Sequence, residues 1–444
     1  MKLLILGGRV LDPATDTDDI LDIYVEDGKI VSVTKGIELS EQELEECEVI
    51  NAKGMWVTPG LVDLNSHFRE PGLEYKGTIR TESRAAARGG YTSVCMMPNT
   101  KPPIDNVDML KYVNETAKEA TDLHLYTVAA MTAGQEGEYL TDFESLKENG
   151  AIAVSDNGAT IMNARTARQA MRLAAEIDIP VFAHCEDSNL AARGVMNAGE
   201  RAKQYGFYGI MDSVEEVIVA RDILLAKNTG ARLHLTHLST KDSILLVQMA
   251  KEQGMNITAE VTPHHFTLTE DVVTGEDANF KIAPPLRTMD DRDAIRVGLA
   301  TDVIDVIVSD HAPHHESEKS RSFDEAPFGV VGLETAVPVT ITELVKTDIL
   351  TPLQMIEKMC YNPARILGIE AGSLEVGKAA DIAVIDPDAE YVIDSNTFAS
   401  MGRNTPFQGK KVFGKVLYTI VDGKVVYSSH GQTEIVIERE APKR

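Results

Sequence analysis

The chain has 444 residues, 43% of them hydrophobic and 25% charged, the balance of an ordinary globular protein with room for one large domain and a smaller one. Its 43 basic residues face 69 acidic ones, and the net charge of −26 excludes nonspecific binding to nucleic acid or an anionic membrane. No apolar run approaches the ~18 residues of a membrane span, and the N-terminal apolar run is too short for a signal peptide. The scattered cysteines Cys47, Cys95, Cys185 and Cys360 suit reduced thiols in a cytoplasmic enzyme.

In chain order, the first ~55 residues read as short strands broken by turns, with Leu3–Leu6, Asp22–Val25 and Ile30–Val33 strand-like and Glu38–Glu48 an exposed acidic excursion. Eight apolar runs then alternate with amphipathic stretches. They are Val57–His67, Thr92–Met97, Leu123–Ala129, Ala151–Asp156, Pro180–Cys185, Arg232–His237, Asn256–Thr262 and Val303–Asp310. Helical stretches such as Thr81–Arg88, Ala164–Ile177, Ser213–Lys227 and Ser243–Glu252 separate them. Such alternation predicts a (β/α)8 TIM barrel over residues 56–370. Short strands return at Ala380–Ile385, Val416–Val421 and Lys424–Tyr427. Neither β-rich end can bury a core alone, so residues 1–55 and 371–444 are expected to form one small composite β-sandwich domain.

Barrel enzymes place their chemistry at the C-terminal ends of the strands. Those ends carry His67, Asn99, Asn157, His184, His237, the pair His264-His265, and Asp310 followed by His311, His314 and His315. Imidazoles and a carboxylate converging on one mouth are what a divalent metal such as zinc requires, and such a metal turns bound water into a nucleophile at neutral pH. A single histidine is more often structural than a ligand, and His124, His234 and His430 are read as structural or exposed. His184, His237 and Asp310 ending three separate strands form a stronger joint signal. Asp310 is the candidate proton carrier, and Arg69 a candidate clamp for a substrate carboxylate, with Asn99 and His314 as further donors. Gly89-Gly90 reads as a helix end rather than a phosphate loop, and Glu316–Phe323 as a mobile polar loop or lid.

The chain resembles the amidohydrolase superfamily and, within it, the class I dihydroorotases. The resemblance rests on His67-Phe68-Arg69-Glu70-Pro71-Gly72, Ala85-Ala86-Ala87-Arg88-Gly89-Gly90-Tyr91-Thr92, Met97-Pro98-Asn99-Thr100, Asp310-His311-Ala312-Pro313-His314, Ala326-Pro327-Phe328-Gly329 and Gly332-Leu333-Glu334-Thr335. It implies a cyclic amide hydrolase of pyrimidine biosynthesis that interconverts N-carbamoyl-L-aspartate and L-dihydroorotate. It also implies His67, His184, His237 and Asp310 as metal ligands, Asp310 as proton shuttle, and Arg69, Asn99 and His314 as substrate contacts.

Three positions depart from the family pattern. Asn65 stands where the first strand carries the first histidine of an HxH pair, Asn157 where a bridging carboxylate is normal, and Ala283 where an asparagine touches substrate. Amides are weak neutral donors, so one ion, zinc first, is expected rather than two. Asp156 swinging in to replace the missing carboxylate is opposed by strand alternation. Two main readings follow: an active enzyme with a mononuclear or atypical site, or an inactive homologue serving as structural partner of aspartate carbamoyltransferase. Hydrolysis of another cyclic amide is a third. The expected partners are a small-molecule substrate, further copies of the chain in a homo-oligomer and, under the second reading, that transferase.

Overall fold

A computed structural model describes residues 2–429. Eight parallel strands follow one another in order: Leu61–Ser66, Tyr91–Met96, His124–Ala129, Ala151–Ser155, Val181–Ala183, Leu233–Leu235, Ile257–Val261 and Val306–Ile307. A bridge between Ser66 and His311, backed by the His67 N–H donating to the His311 carbonyl at 2.8 Å, joins the last strand end to the first and closes the barrel. The fold class read from the sequence is therefore the observed one.

The first predicted run is two strands, not one. Trp56–Pro59 pairs with Lys2–Asp12 and Ile382–Val392 in a second sheet, and only Leu61–Ser66 enters the barrel. Gly60 marks the crossing, because a Cβ there would collide with the Thr92 side chain. The Glu38–Glu48 excursion holds an exposed helix, Glu41–Glu45, and then a strand, Cys47–Asn51, parallel to Lys2–Asp12.

Barrel strands such as Leu61–Ser66 and Tyr91–Met96 are buried on both faces, as parallel strands covered by helices must be. The helix Ile79–Arg88 starts at Thr78, whose hydroxyl accepts from the Thr81 N–H, and ends at Gly89 and Gly90, the latter at φ +90°. Gly89-Gly90 is thus a helix end, as expected. The second sheet runs Lys424–Ser428, Lys411–Val421, Ile382–Val392, Trp56–Pro59, Lys2–Asp12, Thr17–Glu26 and Lys29–Thr34, with Cys47–Asn51 also on Lys2–Asp12. Both chain ends contribute to it, and Leu3, Ile23, Val57, Ile382 and Ile420 share its own apolar core. His430 lies outside the described residues. Among those described, no helix is long and apolar enough to cross a membrane.

Candidate active site

His67 leaves the first strand with its Nδ1 2.8 Å from the Asn99 Oδ1 of the second and its Nε2 3.3 Å from the Asp310 Oδ1 of the eighth. Burial alone would raise the Asp310 carboxyl, but the hydrogen bond to His67 and the neighbouring His237 and His264 hold it at about 2. Asn99 packs over Gly158, where φ is +88° and a Cβ would press on the Asn99 amide. Arg69, His237 and Asp310 adopt φ values of 69°, 36° and 45°, a left-handed backbone that non-glycine residues occupy at a cost and that clusters at functional sites.

A second pair faces the first. His184 Nδ1 lies 2.9 Å from His237 Nε2, with the rings edge to face. Burial, then the neighbouring His184, pulls the His237 imidazole down to about 3, so it stays neutral near pH 7. The Glu186 carboxylate stands 3.9 Å behind His184 Nε2. His237 Nδ1 and His264 Nε2 are buried with no hydrogen-bond partner. His264 is pushed well below the usual imidazole range by burial, then by His265, and it feels the charge of Asp310 and the proximity of His237.

The two asparagines are engaged with each other. Asn157 Nδ2 donates to Asn65 Oδ1 at 2.9 Å, and Asn65 Nδ2 donates to Glu260 Oε1 at 2.9 Å. Glu260, fully buried in the seventh strand, also pairs through Oε2 with His234 Nε2 at 2.9 Å and accepts the His237 N–H at 3.3 Å. A carboxylate only accepts, which fixes both amide orientations in turn. His234 is thus structural, as expected. Asp156 faces away, bonded to the Met131 and Thr132 N–H groups at 2.8 and 3.0 Å, so it does not replace the missing carboxylate.

Beside these groups lies a basic corner. Arg69 Nε donates to the Pro313 carbonyl at 3.1 Å and its Nη2 lies 3.4 Å from His314 Nε2. Burial pulls the guanidinium down to about 10, opposed by Asp310 and Glu318, and it remains charged at neutral pH. His314 donates from Nε2 to the Phe328 carbonyl at 2.8 Å and presents Nδ1 to Lys76 Nζ at 3.4 Å. Burial, then Arg69 and Lys76, keep it neutral. The expected mobile loop contains the helix Glu316–Lys319 and is pinned: Glu318 meets Lys76 at 2.9 Å, and Lys319 Nζ donates to the Pro327 and Gly329 carbonyls at 3.0 Å each. Ala283 stays half-exposed, and its segment is tied down where His265 Nε2 donates to the Pro284 carbonyl at 3.0 Å.

The candidate donors fall into two close pairs. Zinc ligands at about 2.0–2.1 Å in a tetrahedron stand about 3.3 Å apart, close to both the His67–Asp310 and the His184–His237 separations. The two pairs remain distinct. Among the described residues, the group of three donors lying within 4.8 Å of one another is elsewhere, at His124, Asp381 and Asp422. There His124, read as structural, pairs with Asp381 at 3.0 Å beneath the second sheet. Asn65 and Asn157, the two departures from the expected ligand pattern, are engaged with Glu260 and with each other.

Glu260 and Lys76 escaped the sequence reading, and His264 and Glu186 stood at strand ends without an assigned role. A family model described as Dihydro-orotase-like matches residues 54–243. A dihydroorotase of Pelotomaculum thermopropionicum is 48% identical over 426 residues, which cover 96% of this chain and 98% of that protein. The chain belongs to the dihydroorotase family. A second dihydroorotase, from Syntrophus aciditrophicus, is 44% identical over 427 residues, covering 96% of this chain and 99% of that protein. Among solved structures, an L-hydantoinase (dihydropyrimidinase) from Arthrobacter aurescens superposes with a TM-score of 0.83 at 24% identity, over 96% of both chains. That likeness shows that this dihydroorotase-family chain has the same fold as the hydantoinase.

Proposed function

We propose that this protein is a metal-dependent dihydroorotase that interconverts N-carbamoyl-L-aspartate and L-dihydroorotate in pyrimidine biosynthesis, using one divalent ion, zinc. The observation that carries this reading is the meeting, at one barrel mouth, of an ionised Asp310 against His67 with the Arg69–His314 corner. His67, His184, His237 and Asp310 would hold the ion. When bound, it activates water and polarises the amide carbonyl.

The rest is work for the chain's own groups. Asp310, held as a carboxylate, takes a proton from the attacking water and returns it to the departing ring nitrogen. Arg69, charged and braced by the Pro313 carbonyl, pairs with the substrate carboxylate. His314, fixed as a neutral ring by Phe328 and Lys76, adds a contact at the same end, and Asn99 orients His67. Ala283 leaves one family contact unmade.

A cytoplasmic enzyme acting on a small molecule follows from the same reading. An inactive partner of aspartate carbamoyltransferase would have no use for the strained backbone at Arg69, His237 and Asp310. The test is ring opening of dihydroorotate by purified protein with zinc or manganese, and with a chelator as control. Chelator-sensitive turnover is expected; no turnover with any metal would overturn the reading.

A further inference from the structure

A cavity of about 240 Å³ opens at the end of the barrel opposite the candidate active site. Arg232, Asn256 and Asp305 immediately precede the sixth, seventh and eighth strands and line it. The helix Asn362–Leu367 adds Asn362 and Arg365 to the wall. The start of a parallel strand points away from the mouth, so nothing bound here meets the groups gathered around Asp310.

The charges of this wall are unbalanced. Asp305 is already engaged, its Oδ1 accepting from Lys251 Nζ at 2.7 Å and its Oδ2 from the Ala259 N–H at 2.8 Å. Arg232 donates to the Ile366 carbonyl and meets Asp178 at 3.4 Å. The Asp178 side chain is 77% exposed, so water screens that pairing. Arg365 makes no ion pair among the described residues, and its guanidinium lies 5.5 Å from the centre of the Tyr361 ring. Elsewhere in this acidic chain arginines lie against carboxylates, as Arg9 does on Asp18 and Arg221 on Asp222. A mere packing gap is lined by apolar side chains; this cavity gathers two like charges whose donors are mostly uncommitted.

We propose that this cavity binds a phosphoryl group, as free phosphate or at the end of a small phosphate ester. Two guanidinium charges match a phosphoryl dianion, and each planar fork can reach two of its oxygens at once. A monocarboxylate would leave one arginine uncompensated. Asn362 gives its Nδ2 to the Asp305 carbonyl at 3.0 Å and keeps Oδ1 to accept from an ester's hydroxyl. Size agrees. The volume lies just under the ~300–1,000 Å³ of drug-sized pockets, which suits an ester of a few carbons rather than a nucleotide.

The test is calorimetric titration of the full chain with inorganic phosphate and with glycerol 3-phosphate, at constant ionic strength and about pH 8, where both are dianions. Saturable binding is expected. Tighter binding of the ester names an ester as occupant, and equal or tighter binding of phosphate names the free ion. Arg232→Gln with Arg365→Gln is expected to weaken binding by about tenfold or more, and Arg365→Lys alone to weaken it less. Arg69→Ala, at the mouth, is expected to leave it unchanged. No saturable binding, acetate binding as tightly as phosphate, or a loss that follows Arg69 instead overturns the inference. Should the double variant misfold, hydrogen exchange of wild type decides. Phosphate, but not chloride at equal ionic strength, must slow exchange in residues 256–258 and 362–367, and an unchanged profile overturns the inference.

Discussion

The side-chain amide of Asn157 donates to the side-chain oxygen of Asn65 across 2.9 Å, and Asn65 passes the polarity on to Glu260. The two departures from the expected ligand pattern are thereby tied into a hydrogen-bond chain ending on a buried carboxylate. Elemental analysis of the purified protein is expected to find one transition-metal ion per chain. Asn65→His with Asn157→Asp restores an imidazole and a bridging charge, and should raise the count to two. Two ions in wild type would show that the chain opens.

Removing Glu260 strands three partners at once: the Asn65 amide, the His234 ring and the His237 N–H. Glu260→Ala is expected to cost about 3–5 kcal/mol of stability, the usual effect of breaking a buried charged network. Urea unfolding measures it, and a loss under 1 kcal/mol would show that the network is not held together by its charge.

Asp310→Asn keeps the size of the side chain and removes its proton-accepting charge. A drop in kcat of about 10²–10⁴-fold with KM little changed is expected. A change confined to KM would place Asp310 in binding instead.

Arg69 braces on Pro313 and reaches toward His314, so its loss should fall on substrate capture. Arg69→Ala is expected to lower kcat/KM by about 30- to 1000-fold, the equivalent of roughly 2–4 kcal/mol. Arg69→Lys should rescue little, because an ammonium cannot replace a planar fork.

Lys319 offers a pH signature. Burial, then Lys281, pulls its ammonium down to about 7. Its unfolded value is near 10.4, so between pH 7 and 10 the unfolded chain binds more protons than the folded one. The Lys319 contribution is therefore unfavourable below pH 7 and fades as pH rises toward 10. Relative to Lys319→Met, wild type should gain stability over that interval; parallel denaturation midpoints across it would contradict the assignment.

Periodicity found the barrel because parallel strands buried on both faces leave long apolar runs that helices interrupt. It joined Trp56–Pro59 to Leu61–Ser66 because both are wholly buried, and burial carries no mark of which sheet a strand joins. Reading strand ends singled out His67, His184, His237 and Asp310, since parallel strands deliver their last side chains to one mouth, and the structure sets His67 beside Asp310 and His184 beside His237. Alternation also predicted Asp156 correctly as facing away. Glu260 was missed because it sits inside a strand. Its signal was present, though. A carboxylate between Ala259 and Val261, and a histidine at position 234 inside a neighbouring strand, each demand a buried partner and found one another.

Trp56–Pro59 waits for Ile382–Val392, some 320 residues later, before its free edge is paired. At the usual pace of synthesis, about 5–20 residues per second, the first sheet strands stand with open hydrogen-bonding edges for roughly 15–65 seconds while the barrel is still being made. The nascent chain must therefore keep an aggregation-prone edge from pairing with its neighbours on the same message. Moving the C-terminal strands ahead of Lys2 by circular permutation should shorten that exposure, and so raise the soluble yield before it changes anything at the barrel mouth.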